Sequence, residues 1–346
     1  MKTFSTVFLA LIGLSLGVVQ RTPDTLDIYV LDAEGGKAQI VLTPSGQAVL
    51  FDAGFPRPDD RDIKKIEDAA KMLGIREFEY LIITHYDVDH AGNIPALAGR
   101  IPIKKFVDHG PMINDPRMNP ANKRSADAYF DFIKDKGDKR MTVKPGDVLP
   151  LKDVTVTILT SNEQVLTKPM KGAGQANGAC PVEAPAAVPS DDNSGSVGEL
   201  WEFGNFKMAD FGDLLKWVEN RLVCPLNMVG PVDLWMVNHH GVTLSNSPEF
   251  VAALHPKVAI MNSGDRKGNA LATANTLKAQ QGLQDVWQLH YSPALAQPTE
   301  MNPAEHFVAN MSATDDQSHW IKVSAKRDGS FTVTNGRTGF SKEYKK

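Results

Sequence analysis

A buried strand that runs straight into four metal-capable side chains is the feature that most constrains this chain. Leu81-Ile82-Ile83 is an apolar run that reads as a core strand. It is followed at once by Thr84-His85-Tyr86-Asp87-Val88-Asp89-His90, which places two His and two Asp within six residues. Gly92 and Asn93 then turn the chain into a short helical pattern, Ile94 to Leu97. Loops at the ends of buried strands are where rigid scaffolds present chemistry. Side chains spaced i, i+2, i+4 and i+5 crowd one ion but suit two ions side by side. Imidazole and carboxylate together suit zinc, manganese or iron. The bland alternative, a polar loop with chance histidines, leaves so dense a cluster after a core strand unexplained.

At 346 residues the chain has room for one large domain or two smaller ones. Its net charge of −4 gives no basic field for a phosphate backbone, so a nucleic-acid substrate would need a local basic groove. The N-terminus reads as a targeting segment, a signal peptide over residues 1–20. Lys2 supplies the positive end, Val7 to Val19 the apolar run, and Ser15-Leu16-Gly17 a small-residue cleavage site. An uncleaved anchor is the alternative, but the run is short for a span and polar Gln20-Arg21-Thr22 follows soon. The expectation is an exported protein, periplasmic or secreted, with no stable membrane insertion after cleavage. Cys180 and Cys224 fit an oxidising compartment, and a disulfide between them would close a loop worth about 4 kcal/mol in the chain-entropy model. Two free thiols are the alternative. Neither cysteine sits in a ligand cluster.

Leu26 to Leu31, Ala38 to Leu42 and Ala48 to Phe51 read as a meander with turns at Gly35-Gly36 and Pro44-Ser45-Gly46. Its last strand ends in Asp52-Ala53-Gly54. Ile63, Ile66, Ala69, Ala70 and Leu73 recur at helical spacing, with Gly74 as the stop. A strand follows near Ile103 to Val107, then the loop Asp108-His109-Gly110-Pro111. Ala126 to Ile133 is helical, and its aromatics read as core or pocket wall. Val154 to Leu159 is a strand, and 161–193 is a long loop expected to be a flexible cover over the site. In the second half, Val197 to Phe203 and Phe206 to Ala209 pair around Gly204-Asn205. Val232 to Val237 ends in Asn238-His239-His240-Gly241. Glu249 to Leu254 and Ala272 to Gln280 are helical, Val258 to Met261 is a strand, and Trp320 to Ala325 with Ser330 to Thr334 form a hairpin. Two packed sheets with helices outside, in one domain over 21–346, follow from this order.

Four strand ends carry Asp52, the His85 to His90 cluster, Asp213 and His239-His240. Together they resemble the metallo-β-lactamase superfamily. Its main motif, His-x-His-x-Asp-His, reads here His85-Tyr86-Asp87-Val88-Asp89-His90, and Phe51-Asp52-Ala53-Gly54, Phe211-Gly212-Asp213 and His240-Gly241 match in order. The resemblance implies an α+β, four-layer αβ/βα sandwich and two divalent metal ions, zinc first, with manganese or iron as alternatives. It implies His85 and Asp87 on one ion, Asp89, His90 and His240 on the other, and Asp213 bridging. Asp52 would brace the motif loop, and Asp89 would orient the attacking hydroxide. His239 competes with His240, and Asp210 with Asp213; the family pattern favours His240 and Asp213.

The chain departs from that pattern twice. Asp87 replaces the second His, and the third-motif His has no counterpart, its region being Asp192-Asn193-Ser194. Both departures resemble the soluble domain of the ComEC DNA-uptake family, and the central motif is similar to that of teichoic-acid phosphorylcholine esterases. Gly35-Gly36-Lys37-Ala38 sits where ComEC-like sequences carry Gly-Gln-Gly-Asp-Ala, whereas their later His-Pro is missing near Lys267-Gly268-Asn269. Three carboxylates against two divalent ions leave one positive charge, which a bridging hydroxide cancels. Asp87 in place of imidazole hardens the first site toward manganese or iron. A phosphodiester, small molecule or polymer, leads as the substrate. A lactone, carboxylic ester or β-lactam is second, supported by the aromatics Tyr129, Phe130 and Phe132, and a non-catalytic metal-bound binding protein third. His109 could line the pocket, with a surface or capping histidine as the alternative, and His290-Tyr291 at a strand end is left open as a pocket pair. Ser245-Asn246-Ser247 reads better as a helix cap than as a substrate contact.

Overall fold

Leu81 and Ile83 point to one side of their strand and Ile82 to the other, and both sides are buried. That is why the segment reads as a continuous apolar run rather than an alternating one. The structure, a computed structural model, describes residues 24–183, 190–296, 299–312 and 318–346. The leader read at 1–20 and part of the loop 161–193 lie outside the described residues. Among the described residues no helix is long and apolar enough to cross a membrane.

Two sheets form. In the first, Leu26–Val30, Gln39–Leu42 and Ala48–Phe51 run antiparallel as a meander. Parallel strands Phe78–Ile82, Ile103–Asp108 and Arg140–Thr142 then extend it. Its other edge is built from the far end of the chain. Ile321–Ala325 pairs antiparallel with Leu26–Val30 and is followed by Phe331–Asn335 and Ser341–Tyr344. The second sheet begins antiparallel with Val148–Leu149, Thr155–Ser161, Gly198–Phe203 and Phe206–Asp210. It continues parallel through Leu234–Met236, Val258–Met261, Asp285–His290 and Val308–Asn310.

The sheets face one another through a core that includes Phe51, Ile82, Trp201, Met208, Leu234 and Ile260. Helix Arg61–Met72 buries Ile63, Ile66, Ala69 and Ala70 on the outer face of the first sheet. Helices Lys216–Val223, Pro248–Leu254 and Leu271–Ala279 cover the second with Val218, Leu222, Phe250, Leu254 and Leu277. The expected four-layer αβ/βα sandwich is the fold. The helix read from Ala126 starts earlier, at Pro120. Its first turn is polar and solvent-facing, and Asn119 caps it by accepting from the backbone N–H of Ala121 and Asn122. The short strands Arg140–Thr142, Val308–Asn310 and Ser341–Tyr344 have no period long enough to read from sequence.

Candidate metal centre

Parallel strands place their carboxyl ends at one edge, and here both sheets do so together. Asp52 follows Ala48–Phe51, His85 to His90 follow Phe78–Ile82, Asp213 follows Phe206–Asp210, and His239-His240 follow Leu234–Met236. Asp89, His90, Asp213 and His240 converge so that one ligand atom of each lies within 4.8 Å of all the others, and all four are buried. His90 Nε2 and His240 Nε2 each stand 3.3 Å from Asp89 Oδ2 and 3.3 Å from Asp213 Oδ2. His85 and Asp87 stand alongside, with His85 Nε2 3.7 Å from Asp87 Oδ2.

The outer partners fix which nitrogen faces inward. Asp52 Oδ2 accepts from His90 Nδ1 at 2.8 Å and from Thr84 Oγ1 at 2.8 Å, while Asp52 Oδ1 accepts from Thr84 N at 2.9 Å. With its hydroxyl hydrogen on Asp52, Thr84 Oγ1 is left to accept from His85 Nδ1 at 3.1 Å. His240 Nδ1 donates to the carbonyl of Asn262 at 2.7 Å. All three imidazoles therefore carry their hydrogen on Nδ1 and turn a bare Nε2 toward the centre. His85 Nε2 is buried with no hydrogen-bond partner, and His90 Nε2 faces His240 Nε2 at 3.2 Å. Two bare nitrogens so placed repel unless a proton or a metal cation lies between them. Burial opposes charge on Asp213, yet the imidazoles of His240, His90 and His239 hold its carboxyl well below the usual range. Burial likewise opposes protonation of His90, and Asp213, Asp89 and Asp52 push it well above its ordinary value. The pocket demands positive charge, and the residues present fit divalent metal.

The open choices resolve. Asp213 is in the cluster, whereas Asp210 Oδ1 bonds Lys37 Nζ at 2.5 Å and accepts from Gly212 N at 3.1 Å. Gly212 has φ +55, and a Cβ there would lie 2.6 Å from Thr84 Cβ, so the turn to Asp213 requires glycine. His240 is in the cluster, and His239 stands beside it with Nε2 3.5 Å from Asp213 Oδ2. The third-motif region is a brace: Asp192 Oδ2 accepts from Tyr86 N at 2.6 Å and Oδ1 from Ile113 N at 2.9 Å. His109 is buried behind it, 3.4 Å from Asp192 and with its ring against Tyr86 at 4.4 Å, so it is neither a surface nor a capping residue. Ser247 caps the helix Pro248–Leu254, accepting from Phe250 N at 3.3 Å. His290 lies outside the cluster, with Nε2 2.6 Å from Asp32 Oδ1 in a network with Arg61 and Lys65. Asn177 Nδ2 donates to the carbonyls of Val223 and Glu249 at 3.3 Å and 3.0 Å, tying the segment after 161 to them, and Cys180 and Cys224 form a disulfide. Tyr129 is fully buried and bonds Asp108, and Phe130 and Phe132 pack on Tyr86 and Phe106. The aromatics are core.

Two positions went unread. Lys267 Nζ bonds Asp89 Oδ2 while its side chain remains 38 % exposed, making it a cation at the mouth of the cluster. Its loop is tied to the centre by Asn269 N donating to His240 O and Ala270 N to Gly241 O. Asp265-Arg266-Lys267-Gly268 looks like any polar turn in sequence, and only the missing His-Pro drew attention to it. Lys37, read as part of a glycine turn, donates its N–H to Asp89 O at 3.0 Å, and a Cβ on Gly36 would lie 2.7 Å from that oxygen.

Fold and cluster together define a metallo-β-lactamase-type scaffold with a candidate divalent-metal site. Residues 34–167 of the chain match the family model described as "Metallo-beta-lactamase superfamily". Among curated proteins it is similar to ComE operon protein 3 of Bacillus subtilis, 27% identical over 191 residues, covering 55% of this chain and 20% of that protein. It is also similar to coenzyme F420H(2) oxidase of Methanothermobacter marburgensis, 27% identical over 141 residues, covering 38% of this chain and 29% of that protein. The chain thus spans under a third of the length of either relative. Among solved structures, the subclass B3 metallo-beta-lactamase MEM-A1 from a soil metagenome library matches at 15% identity and TM-score 0.38, covering 75% of this chain and 84% of that one.

Proposed function

We propose that this protein is an exported binuclear metallohydrolase acting on phosphodiesters. The observation that carries the reaction class is the convergence of Asp89, His90, Asp213 and His240 within 4.8 Å, with His85 and Asp87 alongside. His85 and Asp87 would hold one ion, Asp89, His90 and His240 the other, with Asp213 between them. Bound divalent ions would supply a hydroxide at neutral pH and positive charge for the developing oxyanion. Asp52 keeps the hydrogen of His90 on Nδ1, so that Nε2 offers its lone pair inward. Asp89, its carboxylate between His90, His240 and Lys267, orients the attacking water.

Lys267 supports an anionic substrate. Its ammonium sits over the Phe55 ring at 5.6 Å, and the Arg57 guanidinium over the same ring at 5.2 Å. Arg57 is paired with Glu34 at 3.1 Å, so Lys267, tied to Asp89, is the cation that can meet a non-bridging phosphate oxygen. Hydrolysis of a lactone, ester or β-lactam is the second reading, supported by the net charge of −4. The aromatics that would favour it are turned into the core. Export is supported by the leader at 1–20 and by the disulfide.

The test is turnover of bis(p-nitrophenyl) phosphate with added manganese or zinc. Activity that is lost on chelation and in Asp213→Ala, with KM raised in Lys267→Ala, is the expected result. No phosphodiester turnover, with hydrolysis of a lactone or β-lactam instead, overturns the substrate.

A further inference from the structure

We infer that the outer face of the second sheet carries a binding site for a small amphipathic carboxylate, linked to the metal centre through Met261. The site lies where the helical cover of that sheet stops. Val258–Met261 is followed by helix Leu271–Ala279, but the next strand, Asp285–His290, is followed only by the single turns Pro293–Leu295 and Glu305–Phe307. Single turns bury less of a sheet face than a helix does. A cavity of about 390 Å³ remains against Val286 and Gln288, within the size range of small-molecule pockets.

The lining selects the ligand. Met261, Leu277, Leu283, Leu295 and Phe307 make the wall apolar. Its buried amide, Gln288, is already committed: Nε2 donates to Asn302 Oδ1 at 2.8 Å and to His290 O at 2.5 Å. The body of the ligand is therefore apolar. Three charged residues border the cavity, Lys278, Asp285 and Glu300. Asp285 Oδ2 is held by Lys342 Nζ at 2.5 Å and by Tyr344 Oη at 2.7 Å. Glu300 Oε1 accepts from Asn302 N at 2.8 Å, and Oε2 from Tyr291 Oη at 3.1 Å. Lys278, in the last turn of its helix, has no ion pair among the described residues. The charge left uncompensated is positive, and the head group that meets it is an anion.

Met261 joins this site to the metal cluster. One side of it lines the cavity, and the other packs on Gly241, where a Cβ would overlap Met261 Sδ. Gly241 follows His240, and Asn262, next to Met261, accepts from His240 Nδ1 at 2.7 Å. A thioether side chain adapts to what it packs on. A ligand in the cavity fixes Met261 and so biases the turn that carries His240.

The test is isothermal titration of the full chain with sodium octanoate, with octanamide as the uncharged control. One site per chain with a Kd on the order of 0.1–1 mM is expected for a ligand of this size. Octanamide, and octanoate with Lys278→Gln, should each bind about 3- to 5-fold more weakly, the worth of an exposed ion pair. Val286→Trp, which fills the cavity from its floor, should abolish binding. Lys278 is exposed, so its variant stands in if Val286→Trp fails to fold by circular dichroism. Saturating octanoate should shift the manganese affinity of the cluster by at least about 5-fold, and Met261→Ala should remove that shift. Octanamide binding as tightly as octanoate, with Lys278→Gln silent, overturns the carboxylate. No saturable binding to the wild type, or unchanged binding to a folded Val286→Trp, overturns the site. Octanoate that binds without moving the manganese affinity overturns the link through Met261. A chain that binds no manganese overturns the metal reading above, and the octanoate titration still decides the site.

Discussion

Asp52 and His90 form a fully buried pair in which the carboxylate accepts from Nδ1 at 2.8 Å, and the same carboxylate holds both Thr84 N and Thr84 Oγ1. One residue at the end of the third strand thereby sets the ring of a cluster histidine at the end of the fourth. Burial opposes the charge on Asp52, and His90, Lys37 and His85 hold its carboxyl below the usual range. Asp52→Ala should lower metal affinity by roughly 10–100-fold while leaving the number of ions at saturation unchanged. Competition with a chelating dye measures both. A fall in stoichiometry with no change in affinity would mean that Asp52 is itself a ligand.

Lys37 and Asp210 cross between the sheets as a buried ion pair beneath the cluster, with side chains 6% and 1% exposed. Lys37→Met strands the Asp210 charge and should cost about 3–5 kcal/mol. Adding Asp210→Asn keeps an acceptor for Gly212 N and removes that charge, so much of the loss should return. Urea unfolding of the two single variants and the double variant checks the coupling.

Glu199 is fully buried in the same layer, register-paired with Asp210, and neither of its carboxylate oxygens has a hydrogen-bond partner. Burial, with Asp210 adding repulsion, pushes its pKa well above the usual carboxylate range. The folded state therefore keeps a proton that the unfolded chain loses near pH 4.3. Its stability contribution is intact below that pH and is lost as pH rises toward the folded value. Glu199→Gln should remove this slope, so the variant should gain on the wild type from pH 5 to pH 9 in urea unfolding at saturating metal. Parallel curves for the two proteins would sink the assignment.

The Cys180–Cys224 bridge closes a sequence separation of 44 residues, worth about 4 kcal/mol in the chain-entropy model. It ties Cys180 to the end of helix Lys216–Val223, and none of the cluster residues lies on either segment. Replacing both cysteines by serine should lower stability by up to that amount and leave metal stoichiometry unchanged. Thermal unfolding and elemental analysis read the two effects separately.

Local chemistry was legible in the chain itself. The apolar run into His85 to His90 marks a core strand and a metal-capable loop because strand burial and ligand spacing are both short-range patterns. The helix Arg61–Met72, the meander from Leu26 and the hairpin at Gly204-Asn205 were readable for the same reason. What the fold alone decided is which distant residues meet. His90 and His240 are 150 positions apart, Lys37 and Asp210 173, and Lys267 and Asp89 178. No periodicity spans such distances. Asp210 and Asp213 are chemically alike in sequence, and only the sheet pairing sends one to Lys37 and the other to the cluster. The C-terminal hairpin carries no mark that it will pair with Leu26–Val30, because strand partnership is set by which apolar faces remain uncovered once both sheets have packed.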